Sequence, residues 1–165
     1  VEHRDHHPYE VVELTVAVVD LRGSTTFMLE HEPSAVCDLV DDLYFAAAEI
    51  AAEHDVHPGK FMGDGAIFLS SDGDRLLAAA RAAVVVLAER TALAAGAGVA
   101  RGRVVRHAGD WYGTPMNLAA RLAELAGPDE VLVDESAVPQ PMRERARWRD
   151  VLPRGQSLSR RAASF

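Results

Sequence analysis

Apolar and polar positions along this chain switch between a two-residue and a three-to-four-residue period, and the switches outline its elements. Residues 11–19, VVELTVAVV, are β-rich and almost wholly apolar, the pattern of a central strand covered on both faces. The run stops at Asp20, and LRGST over 21–25 reads as a loop that opens a helix. After Pro33 the period lengthens. Val36, Val40, Leu43, Ala47 and Ile50 recur at helical spacing, which predicts a helix over residues 34–54. Asp38, Asp41, Asp42 and Glu49 fall on its other faces as solvated charges. Two apolar arms then flank Gly63-Asp64-Gly65, and Asp-Gly between apolar runs predicts a hairpin. An alanine-rich helix follows over 74–95, ended by Gly96 and Gly98. Residues 99–105 read as strand, 109–114 as loop, and 115–126 as a helix with Pro115 in its first turn. A short strand over 130–133 and a final hairpin around Pro153-Arg154-Gly155 complete the order. This succession predicts an α+β sheet with helices packed on one side.

Composition narrows the classes. The length of 165 residues suits one compact domain with a real core. A formal net charge of -8 argues against a general nucleic-acid binder, which carries a basic surface. It leaves an anionic substrate open, because metal ions and a few arginines reverse the field locally. No apolar run approaches the ~20 residues that span a bilayer, and no signal peptide is visible. The chain begins at Val1 rather than Met, which leaves room for a preceding membrane anchor or sensor segment. A lone cysteine, Cys37, excludes an intramolecular disulfide and reads as a small buried apolar residue. It fits a reducing compartment, and a cytoplasmic location is the expectation. His3, His6 and His7 crowd a polar N-terminal tail over residues 1–10.

Three stretches carry candidate chemistry. Asp20 ends a buried strand before a Gly/Ser/Thr loop, and backbone N–H groups at such a helix start favour phosphate. Asp64 sits at a turn between strands. A helix crossing over the sheet would make those strands neighbours, and two carboxylates together suit Mg²⁺ or Mn²⁺. In the third stretch Asn117 and Arg121 are four apart and share a helix face. Arginine binds phosphate, and asparagine donates to a developing anion. Read alone, Asp64 is a turn residue, Asp20 an N-cap or loop aspartate, and 115–126 an ordinary amphipathic helix with a surface arginine.

Taken together, AVVDLRGST, KFMGDGAIF, GVARGRVVRHAGDWYGTPMNLAARLAELA and EVLVDES resemble, in order and spacing, the catalytic domain of class III adenylyl/guanylyl cyclases. The match runs over residues 13–158, nearly the whole chain. The resemblance implies a ferredoxin-like βαββαβ core with a C-terminal strand extension, and a catalytic domain over residues 11–165. It implies that Asp20, Asp64 and the Leu21 carbonyl hold two divalent ions per site. Gly23, Ser24 and Thr25 would meet phosphate, Asn117 would orient the ribose, and Arg121 would stabilise the α-phosphate. Lys60, the chain's only lysine, and Asp110 fall on the two purine-reading positions. A lysine donates to adenine N1 and an aspartate accepts from the 6-amino group, whereas guanine reverses both. The expectation is therefore ATP converted to cyclic AMP at a homodimer with shared sites, without nucleic acid as partner. One chain would give Asp20 and Asp64, the other Lys60, Asp110, Asn117 and Arg121.

The pattern departs from the family in places. Arg154 stands where a phosphate-binding lysine is usual. Gly96 stands where some members carry an arginine that reaches the terminal phosphate, and Arg101, Arg103 and Arg106 are candidates to replace it. The loop between Arg103 and Trp111 is short. The rival readings are a guanylyl cyclase, a non-catalytic nucleotide-sensing module on the same fold, and a nucleic-acid-binding α+β domain. The last lacks both the aromatic strand signature and the basic charge.

Overall fold

The computed structural model describes residues 9–151 and 160–164. The chain runs β1 (Val11–Leu21), α1 (Ser24–Glu30), α2 (Pro33–Glu53), β2 (His57–Met62), β3 (Gly65–Ser70) and α3 (Gly73–Thr91). It continues through β4 (Ala95–His107), β5 (Asp110–Tyr112), α4 (Thr114–Leu125), β6 (Val131–Asp134), β7 (Arg147–Val151) and β8 (Arg160–Ser164). The strands form one sheet in the order β2-β3-β1-β4-β6-β8-β7, with β5 paired to the end of β4. Every pair is antiparallel except β4 with β6. The α+β class and the βαββαβ core are as the sequence predicts, and β7 with β8 forms the C-terminal extension. The turn of that last hairpin, including Arg154, lies outside the described residues, as do His3, His6 and His7.

The central strand is buried on both faces, as its unbroken apolar run requires. Ala17, Val19 and Leu21 pack with Leu43, Ala47 and Ile50 of α2 and with Leu76, Ala80 and Leu87 of α3. Val16 and Val18, on the alternate side, pack with Leu118, Ala119, Leu122 and Ala123 of α4. The expectation of helices on one side therefore holds for α2 and α3 but not for α4, which covers the opposite face. The reason is contact distance. A Cβ added at Gly98 would lie 2.1 Å from the Ala119 carbonyl and 2.4 Å from the Ala123 nitrogen, so α4 lies backbone against backbone on β4. Gly98→Val is expected to lower stability by roughly 3 kcal/mol, because a packed core has no room for the added methyls. A urea-unfolding series would show it as a lower midpoint at unchanged slope.

Other boundaries move for local reasons. The alanine-rich helix stops at Thr91, not at 95, because Ala92 turns left-handed (φ 56°) and Ala95 already pairs with Leu21. Residues 109–114 are not all loop. Ala108 and Gly109, with φ of 51° and 82°, make a two-residue turn of the kind hairpins favour, and Asp110–Tyr112 pairs back on β4. Cys37 is exposed rather than buried. The covered stripe of α2 runs through Leu39, Leu43, Ala46, Ala47 and Ile50, and a residue two positions before Leu39 points to the other side. No helix among the described residues is long and apolar enough to cross a membrane.

Candidate active site

The two predicted carboxylates do converge. Asp20 pairs with Gly65 in the β1–β3 register, next to Asp64 in the turn between β2 and β3. That turn has Gly63 at φ 60°, the conformation a tight hairpin demands of its first central residue. The Leu21 N–H donates to the Asp64 carbonyl at 3.1 Å, which locks the turn against the end of β1. Ser24, buried at the start of α1, donates its hydroxyl to the Asp64 carboxylate, and its Oγ also lies 3.2 Å from the Leu21 carbonyl. Ser24 therefore orients a carboxylate, while Gly23 and Thr25 beside it stay exposed.

Electrostatics matches this crowding. Burial and the neighbouring Asp64 carboxylate push the Asp20 carboxyl above its usual range; Arg22 pulls it down, and Glu124 adds to the push. A carboxyl raised in the folded state favours folding while protonated, and that contribution is lost as pH rises through the raised value. A cation held between the two carboxylates would offset the repulsion between them. Two carboxylates beside a carbonyl oxygen are a hard donor set, which fits Mg²⁺ or Mn²⁺.

A second group forms elsewhere on the chain. Lys60 Nζ donates to Asp110 Oδ2 at 2.9 Å, joining β2 to β5 across 50 residues. The β2–β3 register shifts between Pro58 and Phe61, so Lys60 sits in an irregular stretch of an edge strand, where bulges re-aim side chains. The Asp110 carboxyl is held low by the Lys60 hydrogen bond and by the Trp111 N–H. The Lys60 ammonium is held high by the same contact.

The third group lies on α4. Asn117 is exposed and Arg121 half-buried, one turn apart, on the side away from Leu118 and Leu122. Arg121 pairs with Glu124, yet its buried Nε has no partner among the described residues. Among the described residues, no hydrogen bond or ion pair joins the Asp20–Asp64 group to Lys60, Asp110, Asn117 or Arg121. One chain presents separate parts rather than one closed site.

Sequence reasoning missed Arg22. Its Nη1 lies 3.3 Å from Asp20 Oδ2 and its Nη2 donates to the Ala123 carbonyl. It fills the space over Gly96, where an added Cβ would come 2.2 Å from Nη2. Arg101 does not fill it, being engaged with Glu13, Thr15 and the Ser71 carbonyl. Arg103 pairs across from Glu13, and Arg106 lies 5.9 Å from the Trp111 ring, both far along β4 from Gly96. The available signal was a charged side chain two residues past Asp20, opposite a glycine.

The fold and the paired carboxylates at the strand ends of its sheet define a nucleotidyl cyclase-like domain. The crystal structure of a guanylyl cyclase superposes with a TM-score of 0.81 at 19% identity, covering 94% of this chain and 92% of that one. The adenylyl cyclase CyaB from P. aeruginosa gives 0.76 at 20%, covering 94% of each. An adenylate cyclase of Streptomyces griseus is 33% identical over 120 residues, 72% of this chain and 30% of that protein. An uncharacterized protein of Mycobacterium tuberculosis is 31% identical over 145 residues, 87% of this chain and 35% of that protein. No protein-family model matches the chain. The chain belongs to the class III adenylyl/guanylyl cyclase catalytic domains. It spans about a third of the length of the curated relatives it matches.

Proposed function

We propose that this chain is the catalytic domain of an adenylate cyclase, converting ATP to 3′,5′-cyclic AMP and pyrophosphate at sites shared between two copies. The observation that carries the reading is the 2.9 Å pairing of Lys60 with Asp110. It brings one donor and one acceptor side by side, the complement of adenine N1 and its 6-amino group. A guanine there would set donor against donor and acceptor against acceptor, which leaves polar groups unmatched.

The reaction joins O3′ of the ribose to the α-phosphorus, releases the hydroxyl proton, and breaks the bond to the β-phosphate oxygen. Asp20, Asp64 and the Leu21 carbonyl would hold two Mg²⁺ or Mn²⁺ ions, which supply charge neutralisation to the 3′-oxygen and the triphosphate. Asn117 orients the ribose. Arg121, paired with Glu124 in the single chain, would stabilise the negative charge that builds on the α-phosphate. Gly23, Ser24 and Thr25, beside the Asp20–Asp64 group, are proposed to meet phosphate. Arg154 is proposed as a further phosphate contact. The separation of the groups within one chain supports completion of each site by a second copy.

Two measurements test this. Turnover with ATP and with GTP, in Mg²⁺ and then Mn²⁺, is expected to favour ATP. A preference for GTP would refute the base-reading argument, and no turnover with either would favour the non-catalytic module. Calorimetric unfolding at neutral pH is expected to give a midpoint that climbs with added Mg²⁺ or Mn²⁺. That rise should vanish in Asp64→Asn, since a cation that binds only the folded chain stabilises it by mass action.

A further inference from the structure

We propose that Arg22 is a positioning residue that ties the Asp20 carboxylate to α4, and through that tie lets the two sites of the dimer sense one another. The second half of this statement rests on the shared-site reading above; the first half does not.

The tie is built from three contacts. Arg22 reaches Asp20 Oδ2 with Nη1 and the Ala123 carbonyl with Nη2, across 101 residues of chain. Its own N–H donates to the Ala94 carbonyl at 2.7 Å, anchoring the backbone beside the start of β4. Gly96 lies opposite Asp20 in the β1–β4 register and leaves the volume that the guanidinium occupies. Ala123 is two residues past Arg121, in the last turn of α4, where carbonyls carry the negative end of the helix dipole. A planar guanidinium can bridge a carboxylate and a carbonyl at once; an ammonium cannot hold both at these positions.

This arrangement has a consequence for the dimer. Asp20 serves one site, while α4 delivers Asn117 and Arg121 to the other. Among the described residues, Arg22 hydrogen-bonds to both within one chain. A change in the charge at Asp20 alters one of the two anchors of Arg22, and the other anchor is the helix that arms the neighbouring site.

The test separates the two halves. In the metal-free protein, amide exchange over residues 121–125 is read for wild type, Arg22→Gln, Arg22→Lys and Asp20→Asn. All three variants are expected to speed exchange of the α4 last turn about five- to tenfold, through a lower local opening free energy. Exchange in α2 should stay unchanged. Unchanged exchange in α4 would overturn the tie whatever the dimer does. The second arm mixes Asp64→Ala chains with Asn117→Ala chains, so that each mixed dimer keeps one whole site. Arg22→Gln on the Asp64→Ala chain alters only the helix that serves the working site. It is expected to lower kcat about tenfold with the metal dependence unmoved. Arg22→Gln on the Asn117→Ala chain lies beside the working carboxylate, and is expected to shift the metal concentration for half-activity with kcat kept within about twofold. Equal losses from both placements would reduce Arg22 to a stabilising residue and refute the coupling. Mixed dimers that form but stay inactive before Arg22 is changed would refute the shared sites, and with them the coupling, leaving the tie to stand or fall on the exchange data.

Discussion

Asp20→Ala chains mixed with Asn117→Ala chains are expected to regain about a quarter of wild-type turnover, although each variant alone is nearly inactive. The fraction follows from random pairing: about half the dimers are mixed, and each has one whole site of two. Either change alone should cost on the order of 10³-fold, since each removes a group that acts on charge building in the transition state. The reasoning rests on where the groups lie. Asp20 meets Asp64 and Arg22 at the ends of β1 and the β2–β3 turn. Asn117 lies on the outward side of α4 and Lys60 pairs with Asp110. Among the described residues no hydrogen bond or ion pair joins Asp20 or Asp64 directly to Lys60, Asp110, Asn117 or Arg121, and the link to α4 runs through Arg22 to the Ala123 carbonyl. Activity measured after mixing, beside a sizing experiment that verifies pairing, checks the expectation. Inactive mixtures that nevertheless pair would show that each chain uses its own residues.

The second large effect concerns the purine. Lys60→Glu combined with Asp110→Lys should move the ratio of GTP to ATP turnover toward GTP by about 10²-fold or more. The glutamate would accept from guanine N1–H, and the lysine would donate to O6. Either single change should lower kcat/KM for ATP without making GTP a good substrate, because one polar edge then stays unmatched. Lys60 is exposed and Asp110 half-exposed in the single chain, so the unfolding midpoint should move little, as such surface ion pairs add little stability. Steady-state kinetics with both nucleotides, alongside thermal unfolding, reads both outcomes. Unchanged ATP preference in the double variant would remove Lys60 and Asp110 from base recognition.

Much of this was legible before any coordinates, and the legible part was local. The apolar run before Asp20 set a doubly covered strand. Gly63-Asp64-Gly65 set a hairpin. Pro33 and Pro115 set helix starts within a residue of where α2 and α4 begin. Even the short β5 had a local cause that sequence reading passed over, in Ala108 and Gly109 both turning left-handed. The meeting of Asp20 and Asp64 was an expectation that followed if a helix crossed over the sheet and made their strands neighbours; read alone, each was a turn, cap or loop aspartate.

Sequence by itself thus determined the main elements and their order, β5 apart, and placed Asp20 at a strand end and Asp64 in a turn, because period, turn chemistry and capping act over a few residues. Tertiary structure alone decided the rest. The face that α4 covers depends on Gly98 admitting a helix backbone, which no property of residues 115–126 encodes. The meeting of Lys60 with Asp110 depends on a register shift in β2 and on β5 folding back on β4. Arg22 lies over Gly96 because the β1–β4 register sets that glycine opposite Asp20, and it reaches Ala123 because α4 packs on β4 with Ala123 beside Gly98. These are contacts through space between residues far apart in the chain, settled by packing volume and strand register, and neither quantity is carried by a local pattern.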